Sequence, residues 1–230
     1  MRLNRILFLI LSLSLLLGGC QRARATEQLR NESFSDSLCF LGDSITAHMA
    51  SRSRIRADKL WCAKDRYLNL DSRITYAKIV APDTGKEERI ADVAARLRPT
   101  YLVITLGIDY GVYYYRNAPD TFAHYYEKLL DTIAQASPDT VLLLQSIFPV
   151  TAACTPIKNE MIDRANSVIR EIAARRGLAY LDTQSVLRDK DGYLRTEFCN
   201  STDGIHLSEQ AYEAILSYID DFGRKAGYTA

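Results

Sequence analysis

Residues 39–48, CFLGDSITAH, join an apolar run to a Gly-Asp-Ser turn, and polar residues follow the turn. An apolar run that ends in such a turn is typical of a buried strand followed by a helix. Ser44 stands at this junction, and two interpretations of it are open. Either it caps the following helix, or it is a nucleophile held at the carboxyl edge of a sheet. The rest of the chain has to decide between the two.

Apolar runs alternate with amphipathic stretches along the rest of the chain. Near-continuous apolar runs favour parallel strands that are covered on both faces. The predicted strands lie at residues 38–42, 74–80, 101–107, 140–147 and 178–183. The predicted helices lie at residues 46–57, 87–98, 119–136, 159–176 and 208–223. Five alternations predict one α/β domain, a three-layer α/β/α sandwich around a five-stranded parallel sheet.

Polar clusters stand beside the predicted strands, where a sheet of this kind binds its ligands. Ligands bind beyond the carboxyl ends of parallel strands, so side chains that carry chemistry are expected there. The clusters are GDS at 42–44, PDTG at 82–85, GIDYG at 107–111 and, before the last helix, STDGIHLS at 201–208. Their positions favour the nucleophile interpretation of Ser44.

A serine, an aspartate and a histidine in these clusters suit nucleophilic catalysis. A serine hydroxyl is a poor nucleophile until a base takes its proton, and imidazole suits that task near neutral pH. The imidazole has to be held in one tautomer by a carboxylate on its other nitrogen. Asp203 and His206 are three residues apart on a predicted turn, within reach of each other. No Gly-x-Ser-x-Gly motif is present, which disfavours an α/β-hydrolase.

Taken together, these segments resemble the SGNH (GDSL) hydrolase family of serine esterases and acyl hydrolases. FLGDSIT matches its first block, with Ser44 in the nucleophile position. DGIHLS matches its last block, Asp-x-x-His, and gives Asp203 and His206. The resemblance covers roughly residues 38–220 and implies the SGNH hydrolase fold, which is flavodoxin-like, with a Ser-Asp-His triad. No metal or organic cofactor is implied.

The two middle blocks of the family are matched less well. Gly85 aligns with the second-block glycine, and the resemblance implies that its N–H and that of Ser44 stabilise the oxyanion. The third block carries an asparagine where this chain has Asp109, and Tyr110 replaces the acidic residue after it. An amide donates a hydrogen bond, whereas an ionised carboxylate only accepts. Asp109 therefore puts the activity in question more than the fold.

Several residues near these blocks have two open interpretations. His48, four residues after Ser44, either lines the pocket or is a plain exposed histidine. Asp43 is expected to fix the turn through a local bond to the backbone. The tyrosines after the third block either contact substrate or pack beneath the loop; they are Tyr110, Tyr113, Tyr114 and Tyr115.

The amino terminus is typical of a bacterial lipoprotein. Arg2 and Arg5 precede the apolar run at residues 6–17, which is too short to span a bilayer. The run ends in LLGGC, which resembles a lipobox with Cys20 as the lipidated residue; an ordinary secretory signal or an uncleaved anchor is the alternative. We predict a signal peptide at 1–19, a flexible tether at 20–37 and the hydrolase-like domain at 38–230. The protein is thus expected outside the cytoplasm, lipid-anchored in the cell envelope.

Charge and cysteine content narrow the partners and the compartment. Without residues 1–19 the chain has 27 Lys+Arg against 28 Asp+Glu, a formal charge of −1 that disfavours nucleic acid as a partner. The basic segment at 51–59 is interpreted as a solvated helix face. No C-x-x-C pair indicates zinc, and a disulfide between Cys154 and Cys199 is predicted. The remaining cysteines are Cys39, interpreted as a small buried hydrophobe, and Cys62.

The sequence therefore predicts a lipid-anchored serine esterase. Its expected substrate is an acyl ester, in particular an acetyl ester, on an extracytoplasmic carbohydrate or cell-wall polymer. Two alternatives are a lysophospholipase or thioesterase, and a glycan- or lipid-binding lipoprotein whose turnover is impaired by Asp109. No sequence feature indicates a particular oligomeric state.

Overall fold

A five-stranded parallel sheet forms the centre of the computed structural model, which describes residues 33–108 and 110–229. In chain order the strands are Cys39–Gly42 (β1), Leu60–Cys62 (β2), Lys78–Val80 (β3), Glu87–Arg89 (β4), Tyr101–Thr105 (β5), Val141–Gln145 (β6) and Ala179–Leu181 (β7). The central sheet has the order β2-β1-β5-β6-β7, and all of its neighbouring strands are parallel. The remaining pair, β3 and β4, forms a separate antiparallel hairpin.

Helices cover both faces of this sheet and complete a three-layer sandwich. They are Phe34–Ser37 (α1), Ser44–Arg52 (α2), Ile90–Leu97 (α3), Pro119–Ala136 (α4), Asn159–Arg176 (α5) and Glu209–Ala226 (α6). Helices α3, α4 and α5 pack side by side, and α6 packs against α1 and α2. Because both faces are covered, the interior strands are buried after their first residue, with Val103, Ile104 and Leu143 fully inaccessible. The predicted fold class is confirmed.

The predicted strand at residues 74–80 is wrong, and a shorter segment takes its place in the sheet. Ile74–Tyr76 is a single 3-10 turn, and Lys78 is exposed in the hairpin strand β3. The edge position next to β1 belongs to β2, in which Trp61 is fully buried. Its three residues follow a basic segment, so they carry too little apolar periodicity to stand out in the sequence.

The folded domain begins four residues earlier than predicted. Residues 34–37, assigned to the tether from the sequence, form α1, and only 6% of Phe34 is exposed. The Phe34 ring stacks on Tyr228 at 5.4 Å and meets the edge of Tyr101 at 5.1 Å. Gly223 of α6 makes room for it, because a Cβ there would lie 2.3 Å from the ring. Phe34 therefore closes the core between α1 and α6.

The predicted signal peptide, Cys20 and the tether up to residue 32 lie outside the described residues. Within the part of the chain that the structure does describe, no helix combines the length and apolar character needed to cross a membrane.

Candidate active site

Ser44 lies at the junction of β1 and α2, where the backbone is held tightly. Gly42 ends the strand, and a Cβ there would come within 2.0 Å of Thr46 and 2.7 Å of the Thr105 carbonyl. Asp43 caps the helix, since its Oδ1 accepts the Ile45 N–H at 3.2 Å. The capping interpretation of Ser44 is therefore wrong, and the prediction for Asp43 is confirmed. Ser44 is the first helical residue, half-buried at the carboxyl edge of the sheet.

Asp203 and His206 lie on a tight turn whose backbone is paired on both sides. Cys199 and Leu207 form an antiparallel bridge, and the Asn200 N–H donates to the His206 carbonyl at 2.8 Å. Gly204 takes a φ of +77°, and a Cβ there would lie 2.3 Å from the Thr151 hydroxyl. A residue with a Cβ would be strained at this φ and would clash with Thr151, so this position requires glycine. The turn thus presents both side chains in a fixed orientation.

The structure brings the three side chains into one hydrogen-bonded chain. His206 Nδ1–H donates to Asp203 Oδ2 at 2.7 Å. Its Nε2 is then the acceptor for the Ser44 hydroxyl, with 3.2 Å between Oγ and Nε2. This order is the one in which imidazole takes a proton from a serine, because the carboxylate selects the tautomer with a free Nε2.

The Asp203 carboxylate is held in its ionised form by local donors. Desolvation raises its pKa, but hydrogen bonds from the Ser201 hydroxyl, the Ile205 N–H and His206 outweigh this and hold the pKa well below its ordinary value. Its Oδ1 accepts the Ile205 N–H at 2.8 Å and the Ser201 hydroxyl. Sequence reasoning did not single out Ser201, although its place two residues before Asp203 was a usable signal. The carboxylate therefore keeps its charge opposite His206 throughout the neutral range.

Two long-range hydrogen bonds fasten α2 to the elements that carry Asp203 and His206. Arg52 Nη1 donates to the Leu207 carbonyl at 3.0 Å, directly after His206. The Tyr212 hydroxyl of α6 donates to the Ile45 carbonyl at 2.6 Å, directly after Ser44. These bonds set the separation of the serine and the histidine, and their partners are more than 150 residues apart in sequence.

His48 lies beside His206, which favours the pocket-lining interpretation left open by the sequence. The two rings have their centroids 4.7 Å apart, and His48 Nε2 accepts from Arg66 Nη1 at 3.2 Å. Desolvation lowers the pKa of His48 to about 4, and the positive charges of Arg52 and Arg66 act in the same direction. His48 is therefore neutral at pH 7 and adds no fixed charge next to His206.

The structure contradicts the predicted role of Gly85. This residue lies in the turn between β3 and β4, exposed and with a φ of +69°. Its N–H donates to the Ala81 carbonyl at 2.8 Å, so it is already used within the hairpin. The alignment rested on one residue in a segment that forms a hairpin rather than a strand of the main sheet.

The third polar cluster places aromatic rings at the same edge, while Asp109 itself lies outside the described residues. Tyr110 and Tyr114 stack at 4.0 Å, and 56% of Tyr114 is exposed. Tyr115 instead packs inward, with its hydroxyl donating to the Leu70 carbonyl at 2.8 Å. Tyr115 therefore packs beneath the loop, as one of the two interpretations expects, and contact of the exposed tyrosines with substrate stays a prediction.

The four cysteines of the described residues are free thiols, so the predicted bridge between Cys154 and Cys199 is wrong. Both lie near the Asp203 turn, as expected: Cys154 is buried next to Gly204, and Cys199 pairs with Leu207. The Cys199 thiol donates to the Ser201 carbonyl at 3.2 Å. Hydrogen bonds therefore pin the turn without a covalent link. Cys39 is only partly buried.

Solved structures share this fold at low sequence identity. A Streptococcus pneumonia protein named for platelet activating factor matches with a TM-score of 0.58 at 17% identity, covering 92% of this chain and 98% of that one. A lipolytic protein of the G-D-S-L family from Desulfitobacterium hafniense DCB-2 matches at 0.52 and 20% identity, covering 80% and 97%. A GDSL-like lipase from Bacteroides thetaiotaomicron VPI-5482 matches at 0.50 and 16% identity, covering 89% and 97%. Because all three sequence identities are low, these structural matches establish likeness of fold alone.

Sequence comparison supplies the family. The chain matches no curated protein. The model of the GDSL-like lipase/acylhydrolase family matches residues 40–214, a range that contains Ser44, Asp203 and His206. The chain therefore belongs to the GDSL-like lipase/acylhydrolase family, as a hydrolase that acts on ester bonds.

Proposed function

We propose that this protein is a lipid-anchored serine esterase that removes short acyl groups, in particular acetyl, from a carbohydrate or cell-wall substrate outside the cytoplasm. The observation that carries the proposal is the hydrogen-bonded chain from Ser44 through His206 to Asp203, with separations of 3.2 Å and 2.7 Å. In this account Ser44 is the nucleophile, His206 the general base and acid, and Asp203 the residue that orients His206.

Acylation begins when Ser44 Oγ attacks the ester carbonyl carbon and His206 Nε2 takes the hydroxyl proton. The carbonyl electron pair moves onto oxygen and gives a tetrahedral oxyanion. When the oxyanion collapses, the bond to the alcohol oxygen breaks and that oxygen takes the proton from His206. The alcohol leaves, and the acyl group remains on Ser44.

Deacylation repeats the sequence with water as the nucleophile. His206 Nε2 takes a proton from water as the water oxygen attacks the acyl carbon. The intermediate then expels Ser44 Oγ, which recovers its proton from His206. The carboxylic acid is released, and Asp203 remains ionised throughout because its donors hold its pKa low.

The start of α2 supplies the oxyanion donor in this account. The first N–H groups of a helix have no intrahelical acceptor, and the helix dipole favours negative charge at that end. The Ser44 N–H occupies such a position, directly beside the attacking Oγ. With the Gly85 N–H bonded to Ala81, Ser44 is the donor on which the proposal relies.

Hydrolysis of p-nitrophenyl acetate by purified protein tests the proposed activity. Wild type should turn the ester over, and Ser44→Ala should lower kcat/KM by at least about 10³-fold. Ser51→Ala is the matched control, since Ser51 is an exposed serine on the same helix, and it should retain full activity. An inactive wild type, or full activity in Ser44→Ala, would contradict the proposal. If the wild type is inactive and the Asp109→Asn variant hydrolyses the ester, the result would favour a binding lipoprotein whose turnover is impaired by Asp109.

The proposed location rests on the segment ending in LLGGC, outside the described residues. Mass spectrometry of protein extracted from membranes should find an acylated, blocked amino terminus at Cys20. Cys20→Ser should abolish the acylation and release the protein from the membrane fraction. A mature soluble form that begins at another residue would contradict the lipid anchor.

A further inference from the structure

A groove of about 510 Å³ lies next to the end of the edge strand β2, which pairs with β1. One wall is the loop at residues 63–73, which follows β2, and the other is formed by Tyr76 and the β3–β4 hairpin with Lys78 and Glu87. We term it the hairpin groove. Its volume is within the range of small-molecule and oligomer subsites.

Two tyrosines in the hairpin groove have more than half of their surface exposed to water. Tyr76 is 69% and Tyr67 60% exposed, the highest values for large apolar side chains in the part of the chain that the structure describes. A flat aromatic ring left in water gains free energy when an apolar face covers it. The less polar face of a sugar ring is such a partner, and its hydroxyls remain available for the surrounding polar side chains.

The charges of the groove are balanced, which favours a neutral ligand. Its lining contains three basic and three acidic side chains, namely Lys64, Arg73, Lys78, Asp65, Asp71 and Glu87. Several of them face each other: Arg73 pairs with Asp71 at 2.7 Å, and Lys64 lies 3.9 Å from Glu87. An anionic polymer would meet as many repulsive as attractive groups. Hydroxyl groups, in contrast, can accept from the cations and donate to the carboxylates.

The loop that forms one wall of the groove contacts a side chain that lies next to His206. Arg66 in that loop donates to His48, whose ring lies 4.7 Å from the ring of His206. The same loop is tied to the third cluster, since the Tyr115 hydroxyl donates to the Leu70 carbonyl. A chain lying in the groove would therefore reach the edge of the sheet where Ser44 stands.

The loop is held in a strained shape that projects Tyr67 outward. Arg66 has a φ of +66°, which is uncommon for a residue with a Cβ. Hydrogen bonds enforce this shape: the Arg66 N–H donates to the Ala63 carbonyl at 2.9 Å, and Asp65 Oδ1 accepts the Tyr67 N–H at 3.1 Å. Strain of this kind persists where surrounding contacts maintain it, and it collects at functional sites.

We propose that the hairpin groove binds a neutral saccharide chain, with Tyr67 and Tyr76 stacking on its sugar rings, and so presents an ester substituent to Ser44. This inference rests on the proposed esterase function for its second half. The binding itself can be measured without turnover, so the two can fail separately.

Calorimetric titration of the Ser44→Ala protein tests the binding directly. The probes are neutral β-1,4-linked hexasaccharides, namely xylohexaose, cellohexaose and chitohexaose, with hexagalacturonate as the anionic comparison. At least one neutral probe should bind, and Tyr67→Ala or Tyr76→Ala added to Ser44→Ala should each weaken its Kd about tenfold. Tyr193→Ala is the matched control, an exposed tyrosine away from the groove, and should leave the Kd unchanged. No binding by any neutral probe, tighter binding of hexagalacturonate, or unchanged Kd in both groove variants overturns the inference.

A kinetic ratio separates this inference from the proposed function. In the Tyr67→Ala and Tyr76→Ala enzymes, kcat/KM on an acetylated form of the bound hexasaccharide should fall about tenfold relative to that on p-nitrophenyl acetate. If p-nitrophenyl acetate is hydrolysed but this ratio stays at the wild-type value, the groove assignment is wrong and the esterase stands. If hydrolysis is absent but hexasaccharide binding depends on both tyrosines, the esterase proposal fails and the groove stands.

Discussion

The turn that carries Asp203 and His206 and the hairpin groove use their polar and aromatic groups in opposite ways. On the side of Asp203 and His206, side chains and backbone are engaged with one another: the carboxylate accepts from four donors and the backbone of the turn is paired. On the side of the hairpin groove, Tyr67 and Tyr76 extend into water above a set of balanced charges. The two regions are linked by His48, which accepts from Arg66 of the groove loop and has its ring 4.7 Å from that of His206.

This difference separates positioning from recognition. Groups that have to act on a developing charge are most effective when they are fixed before the substrate arrives. Groups that recognise a ligand must instead leave surface for that ligand to cover. Changes on the Asp203 side should therefore act on the rate of the chemical step, and changes on the groove side on substrate binding.

His206→Ala should give the largest effect on the chemical step. Without the imidazole no group remains to take the Ser44 proton, and kcat should fall by at least about 10³-fold. The double variant Ser44→Ala/His206→Ala should be about as slow as either single variant, because the residues act as a unit. His124→Ala, an exposed histidine on α4, is the control and should keep wild-type kcat. Multiplicative losses in the double variant would argue against a shared function.

Asp109→Asn should have the next largest effect, and its sign is positive. An ionised carboxylate about 4 Å from the oxyanion would cost roughly 4 kcal/mol at an effective dielectric constant of about 20, or on the order of a thousandfold in rate. We expect a working but slow wild type, and an Asp109→Asn enzyme that is faster above neutral pH. The measurement is the dependence of kcat/KM on pH. Identical profiles for the two proteins between pH 5 and 9 would remove Asp109 from the oxyanion site.

Gly204→Ala should mainly affect stability. Its φ of +77° and the Thr151 hydroxyl 2.3 Å from a new Cβ leave no unstrained place for the methyl group. The free energy of unfolding should fall by about 1–3 kcal/mol, measured by urea denaturation. Gly192→Ala is a useful control, because its φ of +86° is similar but nothing lies within 4 Å of its Cβ. An equal loss in both variants would show that backbone angle, and not the crowded turn, sets the cost.

His48→Gln should give the smallest effect, and only in acid. The pKa of His48 is lowered to about 4 in the folded protein, against about 6.5 in an unfolded chain. The unfolded state then binds a proton first, so the stability that neutral His48 contributes is present above pH 6.5 and is lost as the pH falls toward 4. Wild type should lose stability relative to His48→Gln over that window, as followed by urea denaturation. A constant difference from pH 7 to pH 4 would contradict the lowered pKa.

The residues of the hydrogen-bonded chain could be predicted from sequence because their signals are local. Ser44 comes two residues after the end of an apolar strand, and Asp203 and His206 share one turn. Strand β2 could not be predicted, since three residues carry no period and its burial depends on partners elsewhere in the chain. Gly85 was misassigned because a single glycine occurs both in hairpin turns and in loops that follow a parallel strand.

The hairpin groove could not be predicted either, because it is formed by two separate stretches of chain. Its residues are polar or aromatic in a segment without periodicity, and what joins them is a cavity formed by two separate stretches of chain. The contacts of Arg52 with Leu207 and of Arg66 with His48 are likewise long-range. A single sequence gives no indication of such pairs, whereas the longer buried strands are indicated by their composition.

Labelling with a fluorophosphonate probe tests the central claim most directly, because the probe reacts only with a serine that is activated as a nucleophile. Mass spectrometry of the labelled, digested protein should find one adduct, on Ser44. The adduct should be absent from Ser44→Ala and strongly reduced in His206→Ala, since the same base activates the hydroxyl in both reactions. An adduct on another serine, or undiminished labelling of Ser44→Ala, would show that the Ser44–His206–Asp203 chain is not the catalytic centre.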